Sequence, residues 1–132
     1  MTLAPLAVAP AAVQIHAALA LVAALLAAAI LLRRKGTRAH KVMGRVWAAL
    51  MAGTAAGSFL ISGINPSGGF SAIHILSAAT LITLAYAIRA VRRGNVHGHR
   101  IAMISLVFGA LGIAGAFTLA PGRIMSQVVL GE

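Results

Sequence analysis

Residues 33–41, which read Arg33-Arg34-Lys35-Gly36-Thr37-Arg38-Ala39-His40-Lys41, form a basic turn that the chain contains twice. The second copy, residues 92–100, reads Arg92-Arg93-Gly94-Asn95-Val96-His97-Gly98-His99-Arg100. Each turn lies between two long apolar runs. A basic turn between two apolar runs of about 20 residues is typical of a hairpin of membrane-spanning helices. The repetition therefore predicts two such hairpins.

The composition around the two turns predicts an all-α membrane protein. Of 132 residues, 61% are hydrophobic and 9% are charged, against about 25% charged residues in soluble proteins. The apolar runs predict a four-helix bundle with spans at about residues 11–32, 42–61, 70–91 and 101–120, which leaves one transmembrane domain over residues 1–132 and no separate soluble domain. The absence of cysteine excludes disulfides, thiolate metal sites and iron–sulfur clusters.

The distribution of charge predicts the orientation of the chain in a bacterial inner (cytoplasmic) membrane. Ten of the eleven Lys and Arg residues flank the two basic turns, and Arg123 is the exception. Because cytoplasmic ends collect Lys and Arg, we expect both turns in the cytoplasm, and both termini and the uncharged linker at 62–69 on the periplasmic side. The net charge of +10 is accounted for at these membrane boundaries, so it does not indicate a nucleic-acid partner.

The two hairpins also match each other in sequence. At an offset of 59 residues Arg33 aligns with Arg92, His40 with His99 and Gly53 with Gly112. This predicts a parallel internal repeat with halves at about 11–61 and 70–120. In the first and third spans the offset is 58, between His16 and His74, as a one-residue difference in loop length would produce.

Four histidines occupy matched depths in this arrangement. His16 and His74 lie about one turn inside the outer membrane surface, whereas His40 and His99 open the helices that follow the basic turns. Ionisable residues within membrane spans indicate function by default, and histidines on facing helices of a bundle hold haem iron. We therefore expect two bis-histidine b-type haems, an outer one on His16 and His74 and an inner one on His40 and His99.

Basic and small residues near these histidines extend the haem hypothesis. The propionates of the haems would pair with cationic side chains, for which the candidates are Arg38, Lys41, Arg45 and Arg100 on the inner side and Arg123 on the outer side. Glycine and alanine in the second and fourth spans would make room for the macrocycles, at Gly53, Ala56, Gly57, Gly109, Gly112 and Gly115. Small residues in membrane spans also allow close helix packing. The glycine and alanine positions therefore fit either a haem cleft or close contacts between helices.

Several alternatives remain open on the sequence alone. The histidines fit a purely interfacial or packing role, and His97, His99 and His40 could instead hold a metal ion without haem. A parallel repeat also suits a small transporter, although the midplane of each span lacks charge. A structural or accessory subunit, as a monomer or an oligomer, would use the basic face to bind anionic lipids or an acidic partner.

The basic turn and three later blocks resemble one family. Residues 35–47, Lys35-Gly36-Thr37-Arg38-Ala39-His40-Lys41-Val42-Met43-Gly44-Arg45-Val46-Trp47, are similar to the signature of small bacterial four-helix membrane proteins of unknown function. The later blocks are Ser71-Ala72-Ile73-His74-Ile75-Leu76-Ser77, residues 93–95 together with residues 99–103, and residues 114–123. The resemblance covers nearly the whole chain and implies the four-helix fold, but it implies no activity.

By architecture alone the chain also resembles the dihaem b-type membrane cytochromes of the ferric-reductase and quinone-linked class. They share four core helices and two layers of histidine ligands, and the matching positions here are His16, His40, His74 and His99. The resemblance implies an oxidoreductase that passes electrons across the bilayer. It also implies quinone, superoxide or a metal ion as the electron-exchanging partner, or a soluble redox partner at the basic cytoplasmic face.

Overall fold

The structure of the protein, a computed structural model, describes residues 1–62 and 72–131. Most of the predicted linker and the start of the predicted third span, residues 63–71, lie outside the described residues, as does Glu132. Every regular element among the described residues is helical. They are α1 (Ala4–Ala7), α2 (Ala11–Leu32), α3 (Arg38–Ser62), α4 (Ala72–Arg92), α5 (Val96–Ser105), a π-helical segment (Leu106–Leu111), α6 (Gly112–Thr118) and α7 (Ile124–Leu130).

Four helical stretches form a bundle and are long and apolar enough to cross a membrane. They are α2, α3, α4 and the continuous fourth helix made of α5, the π segment and α6, with 22, 24, 20 and 23 residues in the spanning part. At 1.5 Å per residue these lengths correspond to about 30–36 Å, against about 30 Å of hydrocarbon. Consecutive helices pack against each other, and α2 also contacts the π segment. The predicted all-α membrane bundle is confirmed.

The two basic turns share one local geometry. Gly36 and Gly94 adopt φ values of +81° and +79°, a left-handed conformation that glycine adopts without the Cβ clash of other residues. The next residue caps the following helix: the Thr37 hydroxyl accepts from the His40 backbone N–H at 3.1 Å, and the Asn95 side chain accepts from the Gly98 N–H at 2.9 Å. These caps start α3 at Arg38 and α5 at Val96, before the predicted starts at 42 and 101.

The first turn contains an additional cap on the preceding helix. The Lys35 ammonium donates to the carbonyl oxygens of Ile30, Leu31 and Arg33 at 2.9, 2.8 and 2.9 Å. A cation at a helix C-terminus is stabilised by the helix dipole and by carbonyls that lack a partner within the helix. The Lys35 charge therefore ends α2 near the membrane boundary.

The centre of the bundle is packed around Trp47, the one tryptophan of the chain. Its side chain is 1% exposed and donates from Nε1 to the Ala23 carbonyl oxygen on α2 at 3.0 Å. The buried core beside it consists of Ala23, Ala27, Met51, Leu84 and Leu106. Alanine on the buried faces lets the helices approach closely, while large apolar side chains such as Leu25, Ile82 and Phe108 point outward. This pattern suits a lipid environment.

The end of the bundle opposite the basic turns, here called the terminal end, carries two short helices outside the four spans. α1 and α7 pack against each other, and the Thr2 backbone N–H donates to the Val128 carbonyl oxygen at 3.1 Å. Ser126 on α7 is fully buried. The Gln14 side chain links α2 to these short helices by donating to the carbonyls of Ala7 and Ala9.

Candidate histidine sites

At the basic end, His40 and His99 lie on the inward-facing stripes of their helices. Each precedes a core residue by seven positions: His40 precedes Trp47 on α3, and His99 precedes Leu106 at the start of the π segment. Seven residues are about two helical turns, so each histidine lies on the same helix face as its core residue. Along the helix axis it is about 10 Å closer to the basic end than that residue. The sequence prediction of equal depth agrees with this spacing.

The helix caps show that the two histidines are not equivalent positions of the repeat. Relative to its cap Thr37, His40 is the third residue of the helix. Relative to Asn95, the third residue is Gly98, and His99 is the fourth. The turns therefore match at an offset of 58, whereas the histidines and the core residues match at 59. Because adjacent residues of a helix are rotated by about 100°, His40 and His99 differ by that angle when each is measured from the cap of its own helix.

The ring nitrogens of the two histidines at the basic end differ in their contacts. His99 Nδ1 lies 2.9 Å from the Ala87 carbonyl oxygen of α4, a contact in which Nδ1–H donates and the lone pair of Nε2 stays available. His40 Nδ1 is buried without a hydrogen-bond partner. The predicted sharing of one inner iron by His40 and His99 stays a prediction.

At the terminal end, His16 lines a groove between α2 and α3. The groove has a volume of about 270 Å³ and is open on one side. Its wall contains one polar side chain, His16, and six apolar or glycine positions: Ala12, Ile15, Leu19, Gly53, Gly57 and Leu60. A Cβ added at Gly57 would lie 4.0 Å from His16 Nδ1. With no side chain at Gly57, the space between α3 and the His16 ring stays open and forms part of the groove.

The two nitrogens of His16 have different surroundings. His16 Nδ1 is buried and has no hydrogen-bond partner. Nε2 is not among the buried unsatisfied atoms, so this nitrogen retains access to the surrounding space.

His74 lies in a different part of the terminal end. Its side chain is 5% exposed, and its ring centroid is 5.6 Å from that of Phe59 on α3. His16 lies beside Gly57 and His74 beside Phe59, two residues further along α3. Two residues turn a helix by about 200°, so the two histidines contact opposite flanks of α3. The predicted sharing of one outer iron by His16 and His74 stays a prediction.

The five cationic side chains proposed for haem propionates, Arg38, Lys41, Arg45, Arg100 and Arg123, are all exposed. The first four lie within the first eight residues of α3 and the first five of α5, near His40 and His99 in sequence, and Arg123 precedes α7 at the terminal end. The glycines differ between halves: an added Cβ would touch Leu19 at Gly53, but would meet nothing within 4 Å at Gly109, Gly112 or Gly115. These three glycines of the fourth helix therefore do not mark close helix contacts.

Two close contacts between helices were not predicted from the sequence. Ser58 on α3 and Ser77 on α4 are both buried and share a hydrogen bond between their hydroxyls. At the basic end, Gly98 lies so close to Tyr86 and Asn95 that a Cβ would approach their side chains to 2.8 and 2.6 Å. The glycine in the His97-Gly98-His99 run was the available signal for this close approach, but its partner on α4 could not be identified from the sequence.

A three-histidine metal site is not formed. Within residues 1–62 and 72–131, no three His, Cys, Asp or Glu side chains are arranged to hold a metal ion. His97 is exposed in the first turn of α5. The alternative of a haem-free metal site on His97, His99 and His40 is therefore wrong, while a two-histidine arrangement such as His40 with His99 is unaffected by this result.

The helices and their apolar surfaces define a multi-pass membrane protein that contacts the lipid bilayer. Residues 13–129 match the family model described as "Predicted membrane protein (DUF2306)", and the chain belongs to that family. The sequence resemblance to a family of small membrane proteins is thereby confirmed, and the resemblance to b-type cytochromes gains no support from the comparison. No match is found among the curated proteins or among the solved structures.

Proposed function

We propose that the protein is a membrane electron carrier in which histidine pairs hold b-type haem iron, and that the inner pair His40 and His99 is its best-defined site. The observation that carries the proposal is the His99 Nδ1 contact with the Ala87 carbonyl at 2.9 Å. A backbone carbonyl bound to one ring nitrogen orients the other one as a ligand. His40 supports it, because its Nδ1 is buried without a partner on the inward face of the opposite helix.

The donor set fits haem iron better than the other common metal centres. The chain has no cysteine, and within residues 1–62 and 72–131 no third donor joins two histidines, which disfavours a structural zinc site. Two axial imidazoles suit a haem that accepts and releases single electrons. Arg38, Lys41 and Arg100 lie at the same end and are exposed, which supports pairing with carboxylates at the membrane boundary.

In this proposal each residue has a defined task. The Ala87 carbonyl fixes the His99 tautomer, and the inward faces of α3 and α5 direct both imidazoles into the bundle. The basic turns lie in the cytoplasm, as the excess of Lys and Arg indicates. A quinone in the membrane, superoxide, a metal ion or a soluble partner at the basic face would exchange electrons with the site. The proposal rests on the inner pair alone, and the outer haem on His16 and His74 stays an untested prediction from the sequence.

The test is the absorption spectrum of the protein purified after expression with an adequate haem supply. We expect a Soret band, and we expect His40→Ala and His99→Ala each to remove the contribution of the inner haem. His97→Ala is the matched control, because His97 is exposed in the same turn and its loss should leave the spectrum unchanged. A purified, folded protein without any Soret band would refute the haem hypothesis.

A second candidate function is a cofactor-free accessory subunit. The specific observation that favours it is the packed centre of the bundle, where Trp47, Met51, Leu84 and Leu106 are at most 4% exposed. In this case the exposed basic residues would bind anionic lipid headgroups or an acidic partner. Co-purification of a partner protein without haem absorbance would favour this function over electron transfer.

A further inference from the structure

We propose that the groove between α2 and α3 at His16 binds the head group of a membrane-soluble 1,4-quinone, with a quinone carbonyl accepting a hydrogen bond from His16 Nε2. This inference rests on the proposed function, because it assigns a place to the quinone partner of the electron carrier. It differs from the outer-haem prediction, since one ring nitrogen cannot both bind iron and donate to a carbonyl.

The shape of the groove restricts its ligand to a small ring. Its volume of about 270 Å³ lies below the range of about 300–1,000 Å³ that drug-sized ligands occupy. A substituted six-membered ring fits this space, whereas a haem macrocycle is far larger. The groove is open on one side, so a long apolar tail on the ring can stay among the lipid chains.

The lining matches a quinone in chemistry as well as in size. Six of the seven lining positions are Ala, Ile, Leu or Gly, which suit the faces of an apolar ring. The remaining side chain, His16, has an Nδ1 that faces α3 and an Nε2 with access to space. In a low-dielectric site a polar group without a partner is costly, and a neutral imidazole N–H satisfies a carbonyl oxygen. A lipid acyl chain would fill the groove but would leave this nitrogen unpaired.

The position along the membrane is also suitable. His16 lies 16 residues before the end of α2 at Leu32, which places it about 24 Å from the basic end. The groove thus lies in the leaflet opposite to His40 and His99. A quinone bound here and an inner haem would lie on opposite sides of the bilayer, so the two sites do not compete for the same space.

The experiment is photolabelling of the purified protein in lipid nanodiscs with an azido-substituted decylbenzoquinone, followed by mass-spectrometric mapping. We expect saturable labelling of residues 12–19 and 53–60, and we expect decylubiquinone to compete with it. Gly57→Leu should abolish this labelling, because its side chain would extend into the groove. Gly112→Leu is the matched control, since a Cβ there meets nothing within 4 Å, and labelling should persist.

Further variants separate the hydrogen bond from the shape of the groove. His16→Phe should weaken competition by decylubiquinone about threefold to tenfold, the value of one hydrogen bond. If Gly57→Leu does not fold, Gly53→Leu tests the same space from the next turn. Labelling that is not saturable, that spreads evenly over the lipid-facing helices, or that Gly57→Leu leaves intact overturns the proposal.

Haem absorbance measured on the same samples separates the two hypotheses. Saturable groove labelling without a Soret band would support the quinone site and refute the haem carrier. A Soret band that is reduced by His16→Ala would identify His16 as an iron ligand, which supports the haem carrier and refutes the quinone site. With both correct, His99→Ala removes inner-haem absorbance and leaves the labelling of residues 12–19 unchanged.

Discussion

Replacing Gly98 by alanine should destabilise the basic end of the bundle, although alanine ordinarily stabilises a helix. The new Cβ would lie 2.6 Å from Asn95 Nδ2 and 2.8 Å from the Tyr86 hydroxyl. Tyr86 is 52% exposed and can move away, but Asn95 must give up the hydrogen bond from the Gly98 N–H that caps α5. Loss of an N-cap costs about 1 kcal/mol, within a range of about 0.5–2 kcal/mol.

The control for this prediction is Gly112→Ala, where the added Cβ meets open space and should stabilise the helix by about 0.5–1 kcal/mol. We therefore expect Gly98→Ala to be less stable than Gly112→Ala by about 1–2 kcal/mol. Unfolding in mixed micelles by titration with SDS, followed by circular dichroism and by the fluorescence of the single tryptophan, measures the difference.

A double-mutant cycle with Asn95→Ala tests the mechanism. Once the cap has been removed, the alanine at Gly98 has no cap to displace, so we expect a coupling free energy of about 1 kcal/mol between the two substitutions. The reasoning is refuted if Gly98→Ala is as stable as Gly112→Ala, or if its cost is the same with and without the Asn95 side chain.

Two other predictions concern contacts in the bundle interior. Trp47→Phe should lower the free energy of unfolding by about 1–2 kcal/mol, because it removes the hydrogen bond to the Ala23 carbonyl and part of the packed volume. The SDS titration followed by circular dichroism alone measures this change, since the variant lacks the single tryptophan, and an unchanged midpoint would contradict the assigned core. For Ser58→Ala and Ser77→Ala, a double-mutant cycle should give a coupling of about 0.6 kcal/mol, at most about 1.7, and strictly additive effects would show that the two hydroxyls do not interact.

Most of the architecture follows from the sequence because membrane spans are defined by length and hydropathy. The first span was predicted at 11–32 and α2 has those bounds. The starts of α3 and α5 were predicted too late, because side-chain caps at Thr37 and Asn95 draw the basic residues into the first helical turn. Hydropathy places charged residues outside a span and so predicts later starts. The capping residues Thr37 and Asn95, which precede the charged residues in the sequence, indicate the observed starts.

The candidate sites were less predictable than the spans. The depth of His40 and His99 could be calculated from residue spacing, but the Ala87 contact that orients His99 depends on how α4 packs against α5. Similarly, the depths of His16 and His74 gave no indication that they contact opposite flanks of α3. Contacts between helices depend on rotation about each helix axis, which a nearly uniform apolar sequence such as that of α2 specifies weakly.

The π-helical segment Leu106–Leu111 has a consequence for insertions and deletions in the fourth helix. A π turn contains about one residue more than an α turn and is commonly the result of a single inserted residue. Deleting one residue there should convert the segment to α-helix and leave α6 close to its present rotation about the helix axis, because a π turn takes up one extra residue without shifting the residues beyond it. Deleting one residue from an α-helical part of the fourth helix would instead rotate the residues that follow by about 100°. Loss of one residue within Leu106–Leu111 would therefore keep the glycine and phenylalanine side chains that α6 presents to the lipid, and leave the basic end as it is.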